Sequence, residues 1–222
     1  MLSATSAAVA QDAAATFPKN YKVVDSGKEF TIIRVHYGPH EKIGIHDHSA
    51  HATVYVYLNS SGPVRFQHRE GAQPFDIIRP PTHAGAFRVS PGRIEKHSVE
   101  NLSDLPSDYL RVELNRIPLR ALPKEFRGPA PVPPLQPGRT IVYNNPKLRI
   151  ERFICSASGS CMVPPNGHEA ILIQIPSHEL TLEQSQLAYD KPEETEIQPA
   201  TKGWNFNGDG TAAYQILRIT LP

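Results

Sequence analysis

His46, His48 and His51 stand within six residues of one another, directly before the β-branched and aromatic run Thr53–Tyr57. In a strand, residues i and i+2 project from the same face, so the imidazoles of His46 and His48 can meet a single ion. Some fifty residues on, the stretch GAFRVSPGRIEKHSVEN runs from Gly85 to Asn101. Its Pro91-Gly92 pair fits a tight turn, after which His97 opens a new strand arriving from another side of the fold. Three neutral imidazoles converging from two strands would make a facial three-nitrogen site with positions left for water or substrate.

The remaining candidates carry weaker patterns. His51 is echoed by His168 in the second half of the chain, which suggests a structural place at a strand entrance for both. His68 and His83 have no ligand spacing and read as surface residues. Glu95 and Glu100 flank His97; each could orient an imidazole or accept a proton, but glutamate on a strand more often faces water. Tyr55 and Tyr57 share a face opposite to that of Val54 and Val56, and parity alone does not say which face is inward. No general base is assigned.

The elements that would hold these residues are strands. FTIIRVHY, ATVYVYLN, PVRFQH, FDIIR, AFRVS and DYLRVEL in the first half, then TIVY, KLRIERFI, AILIQI, ELTLEQ and YQILRITL, alternate in polarity between Gly, Pro, Asn, Ser and Asp. No long helical period appears, so the class is all-β. Residues 118–139 hold seven of the 22 prolines and read as a linker. The halves resemble each other: FTIIRVHY aligns with LRIERFIC, HATVYVYL with HEAILIQI, and NLSDLPSDYLRVEL with NGDGTAAYQILRITL. This predicts a duplicated β-domain: residues 21–117 carry the histidines, and residues 140–222 form a copy without them. The places of His46 and His48 fall there near Pro164–Gly167, and that of His97 near Gly203–Asn205, where Trp204 reads as a core or interface aromatic.

Composition narrows the function classes. The chain has 222 residues, with 23 Lys+Arg against 22 Asp+Glu and a net charge of +1, so it lacks the basic block that phosphate backbones require. A nucleic-acid partner is not expected, and no apolar run reaches membrane-spanning length. MLSATSAAVA ends in an Ala8-Val9-Ala10 pattern before Gln11, which reads as the remnant of a secretory signal within a flexible tail over residues 1–20. Export to a bacterial periplasm or the exterior is the corresponding expectation; a fortuitous match would leave the protein cytoplasmic. Cys155 and Cys161 flank SASGS, a turn-like stretch, and either form a disulfide worth roughly 2 kcal/mol or remain two partly buried thiols.

Taken together these residues resemble the cupins, and in particular two-domain bicupins. The family's second motif, G-x5-P-x-G-x2-H-x3-N, is matched by Gly85, Pro91, Gly92, His97 and Asn101 with slightly altered spacing. The first, G-x5-H-x-H-x3-4-E-x6-G, is matched by His46, His48 and Gly62. The leading glycine is replaced by His40, and the metal-binding glutamate by Thr53 or, one residue earlier, Ala52. The resemblance implies two tandem jelly-roll β-barrels and a divalent transition metal on His46, His48 and His97. Fe(II) is favoured over Mn, Ni, Zn or Cu. It further implies a three-histidine oxygenase acting on a small organic molecule. A metal-dependent isomerase or lyase, or a non-catalytic exported binder, is the alternative. Homodimerisation is possible by analogy with the family.

Overall fold

The computed structural model describes residues 12–118, 120–175, 182–190, 192, 194–208 and 210–222. The signal-like segment before Asp12 lies outside the described residues. Two larger sheets form the centre. The first has the order β1 (Tyr21–Ser26), β2 (Phe30–Tyr37), β9 (Ser107–Leu114), β4 (Thr53–Tyr57), β7 (Phe87–Ser90), β10 (Phe126–Gly128). The second runs β11 (Gly138–Asn145), β12 (Leu148–Cys155), β17 (Tyr214–Thr220), β14 (Ala170–Ile175), β15 (Thr195–Gln198). Each is backed by a smaller sheet that makes it a barrel. In the first half this is β3 (Lys42–His48), β8 (Glu95–Asn101), β5 (Val64–His68), β6 (Phe75–Arg79); in the second, β13 (Ser160–Val163) with β16 (Trp204–Asn207).

The strands at the centre are buried on both faces, which explains their near-continuous apolar character. On β9, Leu110, Val112 and Leu114 pack outward with Leu148, Ile150, Ile171, Ile173 and Leu217 of the second half. Tyr109 belongs instead to the core inside the first barrel, and Arg111 lines that barrel's pocket. The same alternation settles β4: Val54 and Val56 join the core between the barrels, while Tyr55 and Tyr57 face the interior of their own.

Three segments depart from the sequence expectations. ELTLEQ does not form a strand where it is described, because α2 starts at Leu182 and runs to Asp190; Glu, Gln, Leu and Ala are strong helix formers. The proline-rich stretch contributes β10, three residues free of proline that pair with β7 at the sheet edge, where missing donors are tolerated. Ahead of β1, the short helix α1 (Ala13–Thr16) is capped by Asp12, and Asp12 bridges Asp47, so these residues are folded onto the barrel rather than a loose tail. Cys155 and Cys161 form a disulfide with Cα atoms 5.6 Å apart. No helix among the described residues is long and apolar enough to cross a membrane.

Candidate metal centre

The histidines reach one point because of a bulge. Ile43 pairs with Val99 and His46 with His97, so β3 carries one extra residue at Gly44–Ile45. The extra residue reverses the strand's parity, and both Ile43 and His46 turn inward. His48, two residues further on, follows His46. His97 on β8 lies directly across from His46 on one side and His68 of β5 on the other. The turn that delivers β8 depends on Gly92, at φ +82°, where a Cβ would come within 2.7 Å of the Ala50 carbonyl oxygen. At the far end of β8, Asn101 donates to the Gly38 and Leu105 carbonyls at 2.8 Å each, tying the loops at that end together.

His46, His48 and His97 offer ring nitrogens that all lie within 4.8 Å of one another. His46 Nδ1 sits 2.8 Å from the Gly44 carbonyl oxygen. A carbonyl only accepts, so Nδ1 carries the proton and Nε2 presents its lone pair to the cluster. That nitrogen is 3.1 Å from His48 Nε2 and 2.8 Å from Tyr21 Oη, whose hydrogen bond a metal taking the lone pair would displace. Both nitrogens of His97 are buried and have no hydrogen-bond partner among the described residues. Burial lowers the basicity of all three rings below that of a free imidazole, most strongly at His48 and His97. The rings are therefore neutral, as metal ligands need to be. This donor set can hold a divalent metal, and one of the two orphaned nitrogens of His97 fits such an occupant.

The surroundings explain how the barrel tolerates the missing carboxylate. Thr53 faces inward beside Tyr55, but its hydroxyl donates to the His51 carbonyl at 3.0 Å and takes no part in the cluster. Ala52 faces the core between the barrels, so it does not supply a substitute either. The charge next to the histidines comes from Arg111, which is buried and donates to Tyr55 Oη at 2.8 Å and Glu113 at 2.9 Å, with Glu95 at 3.3 Å. Burial alone would raise the Glu95 carboxyl, yet Arg111 and the other neighbouring positive groups hold it below the usual carboxylate range.

The remaining candidate residues divide clearly. Glu95 does not face water: two residues before His97, it shares the inward face of β8 and is buried. Glu100 lies on the opposite face and pairs with Lys42 and Arg65. His83 is exposed, whereas His68 is fully buried with its ring centre 5.2 Å from that of His97. His68 is kept out of the cluster because its nitrogens face Glu70 at 2.8 Å and Arg93 at 3.1 Å. His51 is half exposed beside Glu113, and His168 is exposed. Sequence reasoning missed Tyr21, whose hydroxyl begins a buried chain from His46 through Tyr37 to Tyr109, with contacts of 2.9 and 2.6 Å.

A narrow pocket opens beside the histidines, walled by Tyr37, Tyr55, Tyr57, Phe66 and Tyr109. The second barrel differs at the matching place. There Val163 pairs with Trp204 and packs with Phe153, Leu172 and Tyr214 beside a buried Arg218–Glu151 ion pair, with no histidine cluster among the described residues.

Solved structures share this architecture. AerE from Microcystis aeruginosa is 12% identical, with a TM-score of 0.56, and the match covers 91% of this chain and 97% of that one. YhaK from Escherichia coli is 14% identical with a TM-score of 0.54, covering 96% and 98% respectively. YhhW from the same organism is 13% identical with a TM-score of 0.51, covering 86% and 80%. No family model and no curated protein sequence matches the chain. At such identities the likeness is one of fold: the chain has the two-barrel cupin fold, with a three-histidine cluster in its N-terminal barrel.

Proposed function

We propose that His46, His48 and His97 bind one divalent transition metal, with Fe(II) favoured, and that the protein is a metal-dependent cupin enzyme of the oxygenase type acting on a small organic substrate. The observation that carries this reading is His97. Both of its imidazole nitrogens are buried without partners, which is costly in a folded protein, and a metal bound beside His46 and His48 would take up one of them and offset part of that cost. A bound divalent ion would supply Lewis acidity and, as iron, the capacity to bring O2 and substrate together.

The chain's own residues do the rest. Gly44 fixes the His46 ring so that Nε2 faces the cluster. The tyrosine and phenylalanine walls exclude water from one side of the histidines and offer a slot for a flat organic molecule. Arg111 keeps Glu95 ionised and turned toward itself, away from proton exchange with the rings.

The test begins with metal content. Protein purified after growth in metal-supplemented medium should carry close to one transition-metal ion per chain by plasma mass spectrometry, and His97→Ala should carry none. A metal-free wild type would overturn the reading. Oxygen uptake with catechol-like, β-diketone and thiol substrates then decides the chemistry. Metal-dependent turnover without oxygen uptake would replace the oxygenase by an isomerase or lyase, and metal without turnover would leave a binding protein.

A further inference from the structure

Four arginines stand in or beside the pocket, and three have carboxylate partners. Arg88 meets Glu125 at 2.8 Å, Arg93 meets Glu95 at 3.1 Å, and Arg111 is held by Glu95 and Glu113. Arg79 is different. It ends β6 opposite Val64, on the strand face that points into the barrel, and its guanidinium carbon lies 4.7 Å above the centre of the Phe66 ring. Its Nε is buried without a hydrogen-bond partner, and no carboxylate among the described residues forms an ion pair with it. Burial, with Arg88 nearby, pulls this guanidinium below its usual range. A cation held this way is an uncompensated charge that an anion of matching shape would relieve.

Its position gives that anion a route and an orientation. Arg79, Tyr57, Pro80, Thr82 and Arg88 line both the inner pocket and an outer groove that runs under residues 127–133. A ligand entering from the groove meets Arg79 first. Phe66 forms the floor beyond it, and the Phe66 ring centre is 5.2 Å from that of His97.

We propose that Arg79 is the receptor for a substrate carboxylate, so that the pocket takes a flat, ring-bearing carboxylic acid. The carboxylate sits on Arg79, whose guanidinium covers the Phe66 ring, the ring of the acid lies among the tyrosines, and its opposite edge points to the histidines. A guanidinium fork matches the two oxygens of a carboxylate. A phosphate dianion would add a second negative charge to a pocket that already holds Glu95. The orientation toward the histidines rests on the proposed metal site; the carboxylate subsite does not.

The experiment uses chelator-treated full-length protein and isothermal titration with benzoate, with benzamide as its neutral counterpart, and with phenyl phosphate. Wild type should bind benzoate roughly tenfold or more tightly than benzamide and more tightly than phenyl phosphate. Arg79→Met should bind the carboxylate and the amide alike, and Arg79→Lys should keep part of the preference. His97→Ala should lose metal and keep the full benzoate preference, so a failed metal site and a failed carboxylate site give different results. Thermal melting checks that each variant is folded; if Arg79→Met is not, Arg79→Gln gives the same readout. A wild type indifferent to the carboxylate, a preference for the phosphate, or a preference that survives in Arg79→Met or Arg79→Gln would overturn the proposal.

Discussion

The two barrels are built on one strand plan and filled differently: each buries an arginine–glutamate pair, and the histidine cluster is in the first. The order β1-β2-β9-β4-β7 in the first is repeated as β11-β12-β17-β14-β15 in the second. The small sheets diverge. In the N-terminal barrel a single cross-strand row reads His46, His97, His68, Phe75, running over four strands. In the C-terminal barrel β13 and β16 place Val163 across from Trp204, and α2 lies between β14 and β15 where the first barrel continues with β5 and β6. The backbone cage thus sets where inward side chains can meet, and the residue types on that face decide whether imidazoles or apolar groups meet there.

Several perturbations would break or sharpen this contrast. The largest effect is expected from the buried charges. Arg111→Met leaves Glu95 and Glu113 buried without their common partner and should cost about 3–5 kcal/mol in chemical denaturation, with loss of order beside the histidines. Arg218→Met, which strips Glu151 of its fully buried partner in the other barrel, should cost a similar amount yet leave the metal content of the folded fraction unchanged. A Leu110→Ala change in the core shared by the barrels should cost about 2–5 kcal/mol. Because that core joins both halves, circular dichroism and tyrosine fluorescence should report one coincident unfolding transition; two separated transitions would show that the barrels are independent.

Smaller effects follow. Reducing the Cys155–Cys161 bridge releases a short loop at the C-terminal barrel and should cost about 2 kcal/mol by thermal melting, with metal content unaltered. Thr53→Val removes one hydroxyl bonded to a backbone carbonyl and should cost about 1 kcal/mol. Metal binding should persist in that variant; its loss would make Thr53 a ligand and undo the explanation of the missing carboxylate.

Much of this was legible in the sequence, for identifiable reasons. The spacing of His46 and His48 and the Pro91-Gly92 turn before His97 are local patterns, and they pointed to the cluster. The alignment of β2 with β12, β4 with β14 and β9 with β17 exposed the duplication. What stayed hidden depends on tertiary placement. The bulge at Gly44–Ile45 has no mark in the local alternation, although it decides that His46 faces inward. His68 reads as a surface residue in the sequence because its burial comes from Phe75 of the neighbouring strand, stacked 4.6 Å away. Glu95 was within reach of reasoning, since residue i−2 of an inward His97 must share its face. Tyr21 and Arg79 were not, because their roles are set by what lies across the barrel from them.

The most direct test of the metal centre is an anomalous-difference map from crystals of the iron- or zinc-loaded protein. One peak is expected about 2.0–2.2 Å from ring nitrogens of His46, His48 and His97, and none beside Val163 and Trp204. A histidine face without a peak, or a peak held by other residues, would contradict a three-histidine metal site.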